Sequence, residues 1–398
     1  MAIERSDRSR GSASCVACTS DSRWLRKTKA PIAPRDGARL IRVVDLFSGC
    51  GGLAIGVAEG HRRAGLATSF ALAVDSDAAA AAVYRRNINV QEQQVAKVEE
   101  VFPGELDARL HRVERALSRR IGDVDLLIGG PPCQGNSDLN NITRRDDPRN
   151  ELYLAMARAA QVLQPTVILI ENVPALRHDH GRVLMRTVSS LAKLGYRCAE
   201  SVIDAVTLGV PQRRRRHVLI ATAAASATPL DTGRCEHERS SAWALRDLLN
   251  VTGRNAFDEA ASMSRDNRRR ARWLFRNNRY DLPNWLRPPC HRDGHSYPSS
   301  YGRMHWREPA PTITSGYGSM GQGRYLHALR PRTITPHEAA RLQTFPDWFS
   351  FGNASRSHIA AMIGNAVPPL FAAALAEHIG RSIVGHAPNS FDHGRIAS

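Results

Sequence analysis

From Leu40 onward the apolar residues gather into short runs, Leu40–Leu46, Phe70–Val74, Val124–Ile128, Val167–Ile170 and His217–Ala221, each the length of a buried strand. Between the later runs the apolar spacing becomes helical. Leu152, Ala155, Met156, Ala159 and Leu163 fall on one face, as do Leu184, Val188, Leu191 and Leu194. Strand–helix alternation of this kind predicts an α/β domain with a doubly wound, mostly parallel sheet. Before Leu40 the pattern is missing: residues 1–38 are rich in Ser, Arg, Thr and Lys, which predicts a flexible N-terminal tail. After Thr222 periodicity is poor, with clustered arginines, Trp243, Trp273, Trp285, Trp306 and the pair Pro288-Pro289. A second, smaller irregular domain is expected there. The last helical pattern, Ala366 to Ile379, follows Gly364-Asn365. The expected layout is a tail at 1–38, a first domain at 39–225, a second at 226–355 and a segment at 356–385 returning to the first.

Composition adds a partner to this picture. The 398 residues are 42% hydrophobic, enough for a sizeable core, and no apolar run approaches the ~20 residues that span a bilayer. Arg5, Arg8 and Arg10 lead into no apolar stretch, so no secretory leader is read and a soluble intracellular protein without a membrane is expected. Net charge is +17. That excess suits a polyanion, because basic side chains release counterions condensed on phosphate. Nearly all of it is arginine, the lysines being Lys27, Lys29, Lys97 and Lys193, which also fits GC-rich coding. The cysteines number seven, an odd count that argues against a disulfide framework. Cys15 and Cys18 form a CxxC without a second pair, and Cys235/His237 with Cys290/His291 fit no short zinc motif, so no metal is expected.

The chemistry sits where predicted strands end. The first runs into Asp45-Leu46-Phe47-Ser48-Gly49-Cys50-Gly51-Gly52, glycines that let the backbone turn tightly against a ligand. Gly49, Gly51 and Ala54 satisfy a GxGxxA fingerprint, and the next strand ends at Asp75, whose carboxylate can accept from ribose hydroxyls. Together they suggest an adenosine-bearing cofactor without saying which. A later strand ends in Gly129-Gly130-Pro131-Pro132-Cys133-Gln134-Gly135-Asn136-Ser137, placing a cysteine at the sheet's carboxyl edge, and the following one in Glu171-Asn172-Val173-Pro174. In Gln212-Arg213-Arg214-Arg215-Arg216, alternation sends Gln212, Arg214 and Arg216 to one face and Arg213 and Arg215 to the other.

This ordered set, with Arg341-Leu342-Gln343-Thr344-Phe345-Pro346 and Gly364-Asn365-Ala366-Val367-Pro368, resembles the DNA cytosine-5 methyltransferases over roughly residues 40 to 380. The resemblance implies a Rossmann-like methyltransferase fold with a target-recognition domain, S-adenosyl-L-methionine as methyl donor, and C5 of a cytosine in double-stranded DNA as acceptor. It implies Cys133 as nucleophile, Glu171 at N3 of the base and Arg214 at its O2. Gln212 and Arg216 would support that pocket, and Gln134 and Ser137 belong to a segment, 134–149, that would close on a flipped base. Phe47, Ser48, Gly49, Gly51 and Gly52 would hold the cofactor's methionine and ribose, with Asp75 on the ribose and Pro131, Asn365 and Val367 completing the pocket. A monomeric modification enzyme of the prokaryotic cytoplasm or nucleoid, serving a restriction–modification system with a cognate endonuclease, is the expected setting.

These residue types suit the reaction. C5 of cytosine is a poor nucleophile, and a thiolate added at C6 turns the ring into an enamine whose C5 can attack a methyl sulfonium. Because C6 is hidden within a base stack, the base must first swing out. Two departures stand out: Asn136 occupies a position usually aromatic, and Lys97 lies near where relatives place an Asp for the adenine amino group, with Glu99 and Glu100 close by. Within 265–280, Arg268, Arg269 and Arg272 beside Trp273 and Phe275 suit phosphate contact. The competing readings are an RNA cytosine-5 methyltransferase, an inactive DNA-binding module and an NAD-dependent oxidoreductase resting on GxGxxA alone.

Overall fold

The computed structural model describes residues 16–31, 37–132, 151–178, 181–223, 237–251, 255–293 and 299–385. Its strands are β1 (Leu40–Leu46), β2 (Ala67–Asp75), β3 (Val90–Val95), β4 (Leu126–Gly129), β5 (Val167–Asn172), β6 (Arg197–Asp204) and β7 (Arg215–Thr222). Its helices are α1 (Val16–Leu25), α2 (Gly52–Arg63), α3 (Ala78–Asn87), α4 (Val98–Val101), α5 (Arg112–Ile121), α6 (Leu152–Leu163), α7 (Val183–Lys193), α8 (Ser241–Leu245), α9 (Arg265–Arg276), α10 (Pro336–Leu342), α11 (Arg356–Asn365) and α12 (Pro369–Gly385).

All five apolar runs became strands of one sheet ordered β3-β2-β1-β4-β5-β7-β6. The pairs among β3, β2, β1, β4 and β5 are parallel, whereas β7 runs antiparallel to both β5 and β6. The two strands that apolar patterning missed, β3 and β6, are the sheet's edges. A strand flanked on one side only keeps polar residues such as Glu92 and Glu200, so its run is broken.

Central strands are apolar on both faces because helices cover both. Along β5, Val167 and Leu169 join a core shared with α2, α3 and α12, while Ile168 and Ile170 join one shared with α4, α5, α6 and α7. α12 lies along α2 at short range. A Cβ on Gly56 would come 2.5 Å from that of Ala372, and one on Gly60 2.7 Å from that of Ala376. A third, smaller cluster of Ala271, Leu274, Leu282, Leu286, Tyr301, Met320 and Leu326 lies within the irregular region. α8 and residues 328–351 instead contribute Ala244, Leu245, Ile334, Leu342 and Phe345 to the first core.

Two local expectations change. Part of the expected tail is ordered: α1 buries Trp24 and Leu25, and Asp21 pairs at 2.7 Å with Arg63 of α2 and with Arg239. Tail-like composition hid this because the anchors are one apolar pair and ion pairs to residues far along the chain, Arg26 with Asp247 at 2.9 Å among them. On α7 the buried residues are Val183, Thr187, Ser190 and Leu191, while Leu194 caps the helix and is exposed.

Candidate active site

β1 is flanked on one side by β2 and on the other by β4, so the order reverses between β1 and β4. In an open α/β sheet the crevice beyond the carboxyl ends at such a reversal is where ligands bind. Leu46 and Gly129, the last residues of those strands, pair directly, so the glycine loop and the proline turn leave the sheet side by side.

The glycine loop departs from ordinary backbone. Phe47, Gly49 and Gly51 all have positive φ, and Gly51, at +97°, is the N-cap of α2. A side chain at Gly51 would also strike Ile88. The Asp75 carboxylate accepts from the N–H of Gly49 at 2.7 Å and of Asp77 at 2.8 Å, which ties the end of β2 to the loop. Burial raises the Asp75 pKa against the opposing effect of these bonds. Ser48 is buried, and its hydroxyl has no hydrogen-bond partner among the described residues. Cys50 is buried as well, and burial pushes its thiol pKa up to about 12, which leaves it a poor nucleophile. From the far end of the chain, the Val367 carbonyl lies 2.7 Å from where a Gly52 Cβ would stand, so only glycine lets it approach. Val367 is buried there, and the neighbouring Asn365 is exposed at the end of α11.

The Asn172 amide donates to the Pro131 carbonyl at 3.2 Å, bracing the proline turn against the end of β5. Glu171 is buried, and the Arg216 Nε lies 2.7 Å from its carboxylate. The antiparallel register explains the pair. Glu171 stands opposite Val218, so Arg216, two residues earlier on β7, projects on the same face as a diagonal neighbour.

Arg214 is held by backbone carbonyls. Its guanidinium donates to the carbonyls of Ile313 (3.1 Å), Gly364 (3.3 Å) and Ala366 (3.2 Å). Gln212 is fully buried and spent in the same way. It accepts from the Ile313 N–H at 2.9 Å and donates to the Gln343 side chain at 2.9 Å and the Leu342 carbonyl at 3.2 Å. Of the two faces that alternation separates, that of Gln212, Arg214 and Arg216 is the inward one, with Arg213 and Arg215 exposed. Among the described contacts of these three side chains, the one to Glu171 is made by Arg216.

A carboxylate paired with a guanidinium, beside a braced Pro-Pro turn and a glycine loop, is now a definite arrangement. The profile of the C-5 cytosine-specific DNA methylases matches residues 41–381. The chain belongs to this family. Among its relatives, the Type II methyltransferase M1.BsuMI of Bacillus subtilis is 43% identical over 361 residues, covering 90% of this chain and 84% of that protein. The Type II methylase M.HgiDII of Herpetosiphon aurantiacus is 30% identical, covering 86% and 96%. Among solved structures, the Dnmt2 methyltransferase of S. pombe is 17% identical with a TM-score of 0.55, covering 87% of this chain and 99% of its own. The likeness carries the fold. The chain is thus a DNA cytosine-5 methyltransferase on a mostly parallel α/β sheet.

Within this methylase, Glu171, Arg216, Pro131 and the glycine loop sit at one edge of the sheet. Cys133, Gln134 and Ser137 lie outside the described residues. Lys97 is exposed at the start of α4, where its backbone N–H donates to the Glu100 carboxylate at 3.2 Å. Arg268, Arg269 and Arg272 are exposed on α9, with Arg265 and Arg276 on the same face. Motif reading gave no role to Arg341. It is buried and ion-paired with Asp247 at 2.9 Å and with Asp347, joining the entry and exit of the irregular region. A buried arginine inside a helix was the available signal, since it demands carboxylates from elsewhere.

Proposed function

We propose that this methylase transfers a methyl group from S-adenosylmethionine to C5 of a cytosine swung out of duplex DNA, through a covalent bond between Cys133 and C6. The Glu171–Arg216 pair at the edge where the glycine loop and proline turn emerge carries this reading. The loop fits an adenosine-bearing sulfonium cofactor. The N-terminus of α2 opens toward it with amides for a carboxylate, Ser48 keeps a buried hydroxyl unpartnered, and Asp75 stands where ribose hydroxyls need an acceptor. Phe47, Ser48, Gly49, Gly51, Gly52, Asp75, Pro131, Asn365 and Val367 would hold it. When bound, the cofactor supplies an electrophilic methyl group.

The chain's own residues do the rest. The Cys133 thiolate adds to C6, and the electron density this sends into the ring is taken up as the Glu171 carboxyl group, in its protonated form, gives its proton to N3. Arg216, rather than Arg214, is the cation beside that carboxylate, so it orients Glu171 and stands within reach of the base. Arg214 and Gln212 position the strand. Once C5 carries the methyl group, loss of its proton to water as base, with the N3 proton returning to Glu171, expels the Cys133 thiolate and restores the ring. Arg268, Arg269 and Arg272 would contact phosphates. The names of the bacterial relatives support a modification role in a restriction–modification system; a cytoplasmic monomer is the form proposed for it. A duplex bearing 5-fluorocytosine at the target should trap a covalent adduct, because fluorine blocks the final elimination. Adduct formation by Cys133→Ala at the wild-type level would sink the assignment.

A further inference from the structure

Among the described residues, the exposed large hydrophobics are Leu40, Val95, Val113, Met185, Leu194, Leu329 and Trp285. Trp285 is both the most exposed of these, at 63%, and the only aromatic one. Scattered aliphatic side chains at a surface need no explanation. An indole left in water does, because a tryptophan has more apolar area to gain by burial than any of them.

The residues on either side of Trp285 are held. Leu286, the next residue, is buried in the small third core, and its carbonyl accepts from Arg270 Nε at 3.0 Å. Asn284, the preceding residue, donates to the Asp293 carboxylate at 2.7 Å and accepts from its N–H at 3.3 Å. The Trp285 ring meets that of Trp273 edge to face, centroids 6.0 Å apart at 87°. A side chain exposed by looseness would not be framed in this way. Trp273 belongs to α9, one position beyond Arg272 and four beyond Arg269, so it borders the exposed arginine face. The indole therefore projects from a rigid turn at the margin of a surface carrying Arg265, Arg268, Arg269, Arg272 and Arg276.

We propose that Trp285 is a DNA-binding residue whose ring stacks on a base at a step loosened while the arginine face holds the phosphates. This rests on the reading of α9 as the DNA face. Charge selects nucleic acid as the occupant, and an aromatic edge beside cations is how proteins exploit an unstacked base.

The test uses the full chain and unmethylated bacterial genomic DNA, following methyl transfer against DNA concentration at several salt concentrations. Losing one aromatic–base stack lowers affinity roughly 5- to 150-fold. Trp285→Ala should therefore raise KM for DNA by about that factor while kcat at saturating DNA stays within about twofold. Trp285→Phe should recover most of the loss, and the salt slope should match wild type because no phosphate contact is removed. DNA-induced quenching of tryptophan fluorescence should shrink in Trp285→Phe. An unchanged KM in Trp285→Ala overturns the proposal. So does a KM rise that Phe fails to rescue together with a lowered unfolding temperature, which would mark the ring as structural. Failure of the α9 reading is distinguishable: changing Arg268, Arg269 and Arg272 together to Gln would then leave the salt slope intact, whatever Trp285 does.

Discussion

Exchanging the roles of two arginines two residues apart makes a prediction that separates structure from motif. Arg214→Ala removes a buried guanidinium that serves the carbonyls of Ile313, Gly364 and Ala366. A hydrogen bond from a charged donor contributes about 1.5–3 kcal/mol, and the three are not additive because they share one group. A loss of about 3–5 kcal/mol is expected, a large fraction of a typical folding free energy. Arg216 is part of no such lattice. Its Nε faces Glu171 from a side chain that keeps 14% of its surface in water, so Arg216→Ala should cost less stability. Its effect should fall on chemistry instead, because Glu171 loses the cation that orients it. Removing one preorganised group of this kind lowers kcat by about 10²–10³. Urea unfolding of both variants, beside single-turnover methyl transfer to duplex DNA well below either midpoint, reads the two effects separately. A Arg214→Ala variant as stable as wild type but about a hundredfold slower would refute the reasoning, as would an Arg216→Ala variant of normal activity.

Four further outcomes are expected. Gly56→Ala drives a methyl group into the Pro369 carbonyl and to 2.5 Å from the Ala372 Cβ, so it should cost about 1–3 kcal/mol and weaken S-adenosylmethionine binding in calorimetry as Val367 shifts. Arg158→Met leaves the fully buried Glu114 unpaired and should cost about 3–5 kcal/mol in urea unfolding, much of it regained in Arg158→Met/Glu114→Leu. Burial would lower the His337 pKa, but hydrogen bonds to Asp347 and Asp258 outweigh it and hold it above 6.5. The stability this adds is full below about 6.5 and lost as pH rises through the folded value, a decline that His337→Gln should flatten in thermal melts. Lys97→Asp supplies an acceptor for the adenine amino group and should tighten cofactor binding about tenfold, whereas unchanged affinity together with a large loss in Glu99→Gln would assign that bond to Glu99.

What could be read along the chain was whatever depends on neighbours in sequence. The five central strands are apolar because both their faces are covered, so each declared itself locally. β3 and β6 did not, since an edge strand need not be apolar on both sides. The carboxyl-edge position of Asp75, Pro131 and Glu171 followed from strand ends alone. α1 stayed hidden because its anchors, Arg63 and Arg239, lie 42 and 218 positions beyond Asp21.

The roles of Gln212, Arg214 and Arg216 show where such reading stops. Alternation puts all three on one face, but it cannot say which way that face turns or how far along the strand each meets its partner. That distance is set by the β5–β7 register, which brings Glu171 opposite Val218. It is set also by segments 99 to 150 residues later, which lay carbonyls around Arg214 and place Gln343 against Gln212. Gln343 in turn donates to the Ile363 carbonyl at 2.5 Å, so one buried polar chain runs from the arginine strand through the Arg341–Pro346 motif to the end of α11. Each member satisfies the next, and an unsatisfied polar group in this interior would be costly. The three motifs are therefore bound as a unit. A change at Gln343 should disturb Arg214 and the segment carrying Asn365 and Val367 together, although neither touches it in sequence.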